Sequence, residues 1–194
     1  MSEFSLYFQL GLEHILDPKG YDHILFVIAL CAIYVPRDWK KVLVLVTAFT
    51  IGHSITLALA TLQLISFKTE VIEFLIPTTI LITSLSNLVR KEKNLSRGKV
   101  QINYVLAVVF GLVHGLGFSS FLRGILGKDQ SIFTQLLAFN VGLEIGQIII
   151  VTLFMVMSFI TVDLFGLGRR DWKMIISSAV GGIALTIMLE NKYW

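Results

Sequence analysis

Apolar residues run along this chain in long blocks separated by short polar clusters. Five blocks, at approximately 41–64, 70–89, 100–122, 133–160 and 172–189, hold about 20 mostly apolar residues each, enough for a helix to cross a hydrocarbon core of roughly 30 Å. A sixth, 22–35, is short: its helix would rise only about 21 Å. Pro18 and Gly20 separate it from an earlier apolar piece, 4–16. The pattern predicts an all-α polytopic membrane bundle of about six transmembrane helices, forming one domain over residues 1–194. A short or re-entrant N-terminal helix comes first, then a break at Asp17-Pro18-Lys19-Gly20, then the first spanning helix. Broken backbone at membrane depth is tolerated where it lines a cavity buried in protein.

Composition agrees. Of the 194 residues 55% are hydrophobic and 15% charged, and mean hydropathy is +0.80, so a soluble domain of this size would lack the charged exterior it needs. The single Cys31 excludes a disulfide framework or a thiolate metal cluster. Residues 1–9 carry Glu3 and no Lys or Arg, and so read as mature protein rather than as a secretory signal.

The net charge of +3 would suit an anionic partner, but no basic-aromatic interleaving points to nucleic acid. The basic residues sit in loops instead. Arg37, Lys40 and Lys41, then Arg90, Lys91, Lys93, Arg97 and Lys99, then Arg169, Arg170 and Lys173 fall on one side, eleven of the sixteen. Lys19, Lys68, Arg123, Lys128 and Lys192 fall on the other. The positive-inside rule then puts both termini on the non-cytoplasmic side, as expected of a bacterial inner-membrane protein.

Polar residues inside the apolar blocks are the candidates for chemistry. Counted along their helices, His14, Asp22, His23, His53, His114 and Glu144 all fall at the midplane or in the outer half of the membrane. Ionisable groups there cost several kcal/mol unless they are paired, hydrated or bound to an ion. Imidazole and carboxylate form a ligand set that nickel, cobalt and zinc accept, whereas a Cu(I) site would want Cys or Met. The expected metal ligands are these six. For any one histidine alone, a hydrogen-bonded helix contact is the plainer reading.

Asn140, Glu144 and Gln147, at i, i+4 and i+7, form one polar stripe that must face the bundle interior. It suits either a functional path or an interhelical hydrogen-bond seam. Thr50 and Ser54 flank His53, either orienting its ring or bonding back to the helix. The small pairs Gly111 with Gly115 and Gly142 with Gly146 allow close helix approach near His114 and Glu144. Pro77 should kink the third helix, and Asn87 would line a cytoplasmic exit.

Five stretches carry a family resemblance: Gly11-Leu-Glu-His14; Gly20-Tyr-Asp22-His23-Ile-Leu-Phe; Phe49-Thr50-Ile-Gly-His53-Ser54-Ile-Thr; Phe110-Gly-Leu-Val-His114-Gly-Leu-Gly-Phe118; and Phe139-Asn140-Val-Gly-Leu-Glu144-Ile-Gly-Gln147. In order and coverage the chain resembles the HupE/UreJ family of small membrane proteins. The eight residues from His14 to Asp22 and the lone His114 mark a divergent branch. The resemblance implies about six transmembrane helices and a nickel or cobalt permease that serves metalloenzyme maturation. The leading expectation is therefore a transporter of a divalent transition metal, with the lipid bilayer and the ion as partners and a homo-oligomer or a maturation protein as a further one. An intramembrane metal-dependent hydrolase with Glu144 as base, and a non-transporting accessory protein, are the alternatives.

Overall fold

The computed structural model describes residues 2–90, 97–119, 122, 124 and 132–194. Among these residues the structure is helical throughout: α1 (Glu3–Leu16), α2 (Asp22–Cys31), α3 (Trp39–Thr61), α4 (Thr69–Val89), α5 (Arg97–Gly117), α6 (Ile132–Ser158) and α7 (Arg169–Glu190). Four helical stretches are long and apolar enough to cross a membrane: Pro36–Thr61, Thr69–Val89, Ile132–Leu164 and Arg169–Glu190. Asp22–Cys31 and Asn103–Gly117 are shorter apolar helices. Five full-length apolar segments were expected, so the described residues carry one fewer. The basic positions Lys91, Lys93, Arg123 and Lys128 lie outside the described residues.

Three helix pairs build the bundle: α3 with α5, α1 with α6, and α4 with α7. The first two share one local geometry. A Cβ on Gly111 would lie 2.2 Å from the Phe49 carbonyl oxygen, and one on Gly52 would lie 2.2 Å from that of Val108. A Cβ on Gly142 would lie 2.0 Å from the Phe8 carbonyl oxygen, and one on Gly11 would lie 2.0 Å from that of Phe139. Only glycine permits such backbone contact, the small-residue packing expected between helices in lipid. The contacts climb together in number, Phe49 to His53 against Gly111 to Gly115, and Phe8 to Ile15 against Gly142 to Gly146. Both pairs are therefore parallel. The α4–α7 pair is antiparallel, with Lys173 bonded to the carbonyl of Arg90 and Asn191 to that of Glu73.

The second of those bonds answers a question that Pro77 raises. α4 continues through Pro77, which has no N–H for the carbonyl of Glu73 four residues earlier. The Asn191 amide donates to that oxygen at 3.3 Å and replaces the missing partner.

α2 occupies the centre and touches α1, α3, α4, α6 and α7. Its core is apolar on all sides, as a fully enclosed helix must be. Asn87 donates to the Ala29 carbonyl at 2.7 Å. This residue, expected to line an exit, holds a carbonyl in the last turn of α2 and also lines a cavity with Arg90 and Asn103. The ends of α2, α4 and α6 and the starts of α3 and α7 meet around one cavity. This end carries Arg37, Lys40, Lys41, Arg90, Arg169, Arg170 and Lys173 and is called the basic end below.

α1 runs parallel to α6 from the opposite end, where Gln135 donates to Glu3, down to Ile15 against Gly146. α2 then proceeds in the same sense to the basic end. α1 and α2 therefore run in one sense along the bundle, interrupted between Leu16 and Asp22. The interruption is local chemistry. Pro18 disfavours helix at the preceding residue, and Asp17 is extended (φ −62°, ψ 114°). Its carboxylate accepts from the Lys19 N–H at 2.8 Å, forming a turn.

The outer surface suits lipid. On α6, Leu137, Val141, Ile145, Ile149, Leu153 and Val156 are all exposed and lie on one side. So long an apolar stripe facing outward marks a membrane or partner surface.

Candidate metal centre

The interruption between α1 and α2 brings histidines from both half-helices to one place. His14 stands in the last turn of α1, and His23 in the first turn of α2. α3 contributes His53 and α5 contributes His114, drawn together because Gly52, Gly111 and Gly115 let the two backbones touch. One ring nitrogen each from His14, His23 and His53 lies within 4.8 Å of the other two. The ring centroids are 4.6 Å apart for His14–His23, 6.1 Å for His14–His53 and 6.2 Å for His23–His53. His114 is the neighbouring fourth ring, 5.1 Å from His23.

The surroundings are hydrocarbon. Phe118 is 4.0 Å from the His14 ring, Phe139 stacks at 6.4 Å on His53, and Phe26 and Phe49 lie 5.1 and 5.3 Å from His114. Five ring nitrogens are buried without a hydrogen-bond partner: Nε2 of His14, Nε2 of His23, both nitrogens of His53 and Nδ1 of His114. Buried polar atoms are nearly always bonded, so five orphans in one cluster call for a partner, which an ion or water can supply.

The two remaining contacts set the ring states. Asp22 accepts from the His23 backbone N–H at 2.9 Å and faces its Nδ1 at 3.1 Å. A carboxylate there holds a proton on Nδ1 and leaves the Nε2 lone pair free, the arrangement that orients metal-ligating histidines. Thr79 lies 3.2 Å from His114 Nε2, while its hydroxyl donates to the Ile76 carbonyl at 2.8 Å. That hydroxyl proton is committed, so His114 Nε2–H donates to Thr79 Oγ1 and the lone pair resides on Nδ1.

Of the other expected ligands, Asp22 and His114 adjoin the three-histidine group, each beside His23, and Glu144 is bonded to α3 instead. Thr47 donates to Glu144 at 2.7 Å, and six residues of α3 separate Thr47 from His53, about 9 Å of helix rise toward the basic end. Thr50 donates to Gln147 at 2.7 Å and to the Val46 carbonyl at 3.2 Å. Ser54 bonds back to the Thr50 carbonyl at 2.7 Å, and Asn140 to that of Leu136 at 2.8 Å. Neither Thr50 nor Ser54 bonds to His53, so the ring-orienting role expected of them is not what these hydrogen bonds do. Glu144 and Gln147 instead join α3 to α6. Thr79 escaped notice in the sequence because a threonine within a helix ordinarily bonds only to its own backbone.

The family model described as HupE / UreJ protein matches residues 1–192. The chain belongs to the HupE/UreJ family. No curated protein and no solved structure matches it. Together with its four long apolar helices, membership makes this HupE/UreJ chain an integral membrane protein.

Proposed function

We propose that this HupE/UreJ protein carries a divalent transition metal, nickel or cobalt with zinc also accepted by the same ligands, across the bacterial inner membrane. The observation that carries the reading is the three-histidine group at the break between α1 and α2, with its nitrogens buried and unbonded. Three imidazoles suit all three metals. Half-helix ends meeting at a buried site are a recurrent transporter device, because backbone freed from a helix can change shape without breaking the whole span.

In this reading His14, His23 and His53 hold the ion, Asp22 positions His23, and His114 offers Nδ1 as a further ligand as the ion advances. Glu144, with Thr47, Gln147 and Thr50, forms the next polar station toward the basic end and exchanges a proton with the departing ion. α1 with α2, and each of α3 to α7, makes one of six passes. The basic end faces the cytoplasm, and both termini lie outside.

Three histidines also suit a zinc ion that activates water, the hydrolase reading. The nearest carboxylate, Asp22, is bonded to His23, and Glu144, bonded to Thr47, stands about 9 Å of helix rise from the histidines, so neither is within reach of a water on an ion held there. Transport is therefore the better reading.

The test joins retention to uptake. Protein purified without a His tag should hold about one metal per chain by mass spectrometry, and His23→Ala should lose it while staying folded. Vesicles containing the protein should accumulate nickel or cobalt, with uptake falling as pH drops because the ligand nitrogens must shed their protons. Folded protein that neither retains nor transports any of the three metals ends the proposal.

A further inference from the structure

At the basic end a cavity of about 200 Å³ lies among the ends of α2, α4 and α6 and the start of α7. It is remote from the histidines and plays no part in the metal reading. Arg90, Arg169 and Lys173 line it, with Trp172, Tyr34 and Asp38.

Lys173 is 8% exposed, and its ammonium donates to the Arg90 carbonyl at 2.6 Å. That bond caps α4 and uses one of three donors. Among the described residues, no carboxylate pairs with this nearly buried cation. The one carboxylate on the wall, Asp38, is bonded to Lys41 at 2.6 Å. Trp172, 7% exposed, has its indole N–H buried without a partner. α7 also begins here at Arg169, behind Gly168, which has no side chain to cap it, although Asp171 in the first turn already offsets part of the positive dipole end.

Three cationic side chains surround one small space whose acid is already paired, with the Trp172 side chain in its wall and the start of α7 at its edge. We propose that this cavity binds a phosphate group, carried by the headgroup of an anionic lipid or present as free phosphate. Arg169 at the rim and Lys173 within supply the charge and the hydrogen-bond donors. Phosphate suits both because it presents several acceptor oxygens to donors arriving from different sides. A cavity between transmembrane helices at the basic end is also where an anionic headgroup arrives.

The test uses Trp172 as its own reporter. In the full chain with Trp39→Phe and Trp194→Phe, Trp172 is the sole tryptophan. The detergent-solubilised protein is titrated with dioctanoyl phosphatidic acid, with dioctanoylglycerol, which has the same chains and no phosphate, and with inorganic phosphate. Phosphatidic acid should give a saturable change in Trp172 emission that dioctanoylglycerol does not. Arg169→Gln, at an exposed position, should weaken it at least tenfold while the helical circular dichroism is unchanged. Lys173→Gln should weaken it further. A lipid source is indicated if phosphatidic acid acts at far lower concentration than inorganic phosphate, and a free-phosphate source if the two act alike. Equal responses to the two lipids, no response to any of the three, or a response indifferent to Arg169→Gln overturns the proposal.

Discussion

Two polar regions lie within 9 Å of one another along α3, by about six residues of helix rise, and they are built on opposite plans. In the α3–α6 seam the hydroxyl of Thr47 finds Glu144 and that of Thr50 finds Gln147, each at 2.7 Å. In the histidine cluster five ring nitrogens find nothing, and phenyl rings fill the space around them. Both regions are polar groups in an apolar bundle, yet in one the acid and both hydroxyls are bonded across the helices, with Gln147 Nε2 left over, and in the other most ring nitrogens are open. A polar group that serves to hold helices together ends in a bond to its neighbour. Under the proposed function, a group that serves an outside ion is left incomplete until the ion arrives.

Substitutions should separate the two regions sharply. His53→Ala removes a member of the three-histidine group and should lower metal affinity by more than the roughly 100-fold that loss of an outer partner can cost. Its melting temperature in detergent should fall little, because no hydrogen bond is broken. A large loss of stability with metal retained would instead make His53 helix glue. Asp22→Asn keeps an acceptor beside His23 but removes the charge, and should weaken binding roughly tenfold by the same measurement. Glu144→Gln should leave metal retention within about twofold while slowing vesicle uptake, since Glu144 is placed as a proton acceptor and not in the three-histidine group. Thr47→Val should be the mildest, costing about 0.6 kcal/mol in chemical unfolding, the mean for hydrogen bonds between membrane helices, with no effect on the metal.

Much of this arrangement can be read from residues alone, and the failures have definite causes. The apolar blocks locate α3 to α7, because lipid demands continuous apolar length. The Asp17–Gly20 break is visible because proline and an Asx turn act locally. Depth, counted along each helix, places His14, His23, His53 and His114 at one level. Depth carries no azimuth, however, so it does not reveal that Glu144 accepts from Thr47 on α3. Nor does hydrophobicity carry direction: nothing in the apolar pattern distinguishes a helix that turns back from one that continues after a gap. The parallel pairing of α1 with α6 settles that point, and it depends on Gly11 and Gly142, more than a hundred residues apart.

The ten residues of α2 have a consequence for how the chain is made. A segment that short cannot hold itself across a bilayer, and α1 is little longer, so neither half is secure when it leaves the ribosome. Each must wait for partners synthesised later: α3 and α4 to enclose α2, and α6 to clasp α1 through its glycines. His14 and His23, the earliest of the histidines to be translated, are thus the last to be placed. A chain interrupted before α6 would have its His53 and His114 in position but not the group of three histidines that could hold an ion.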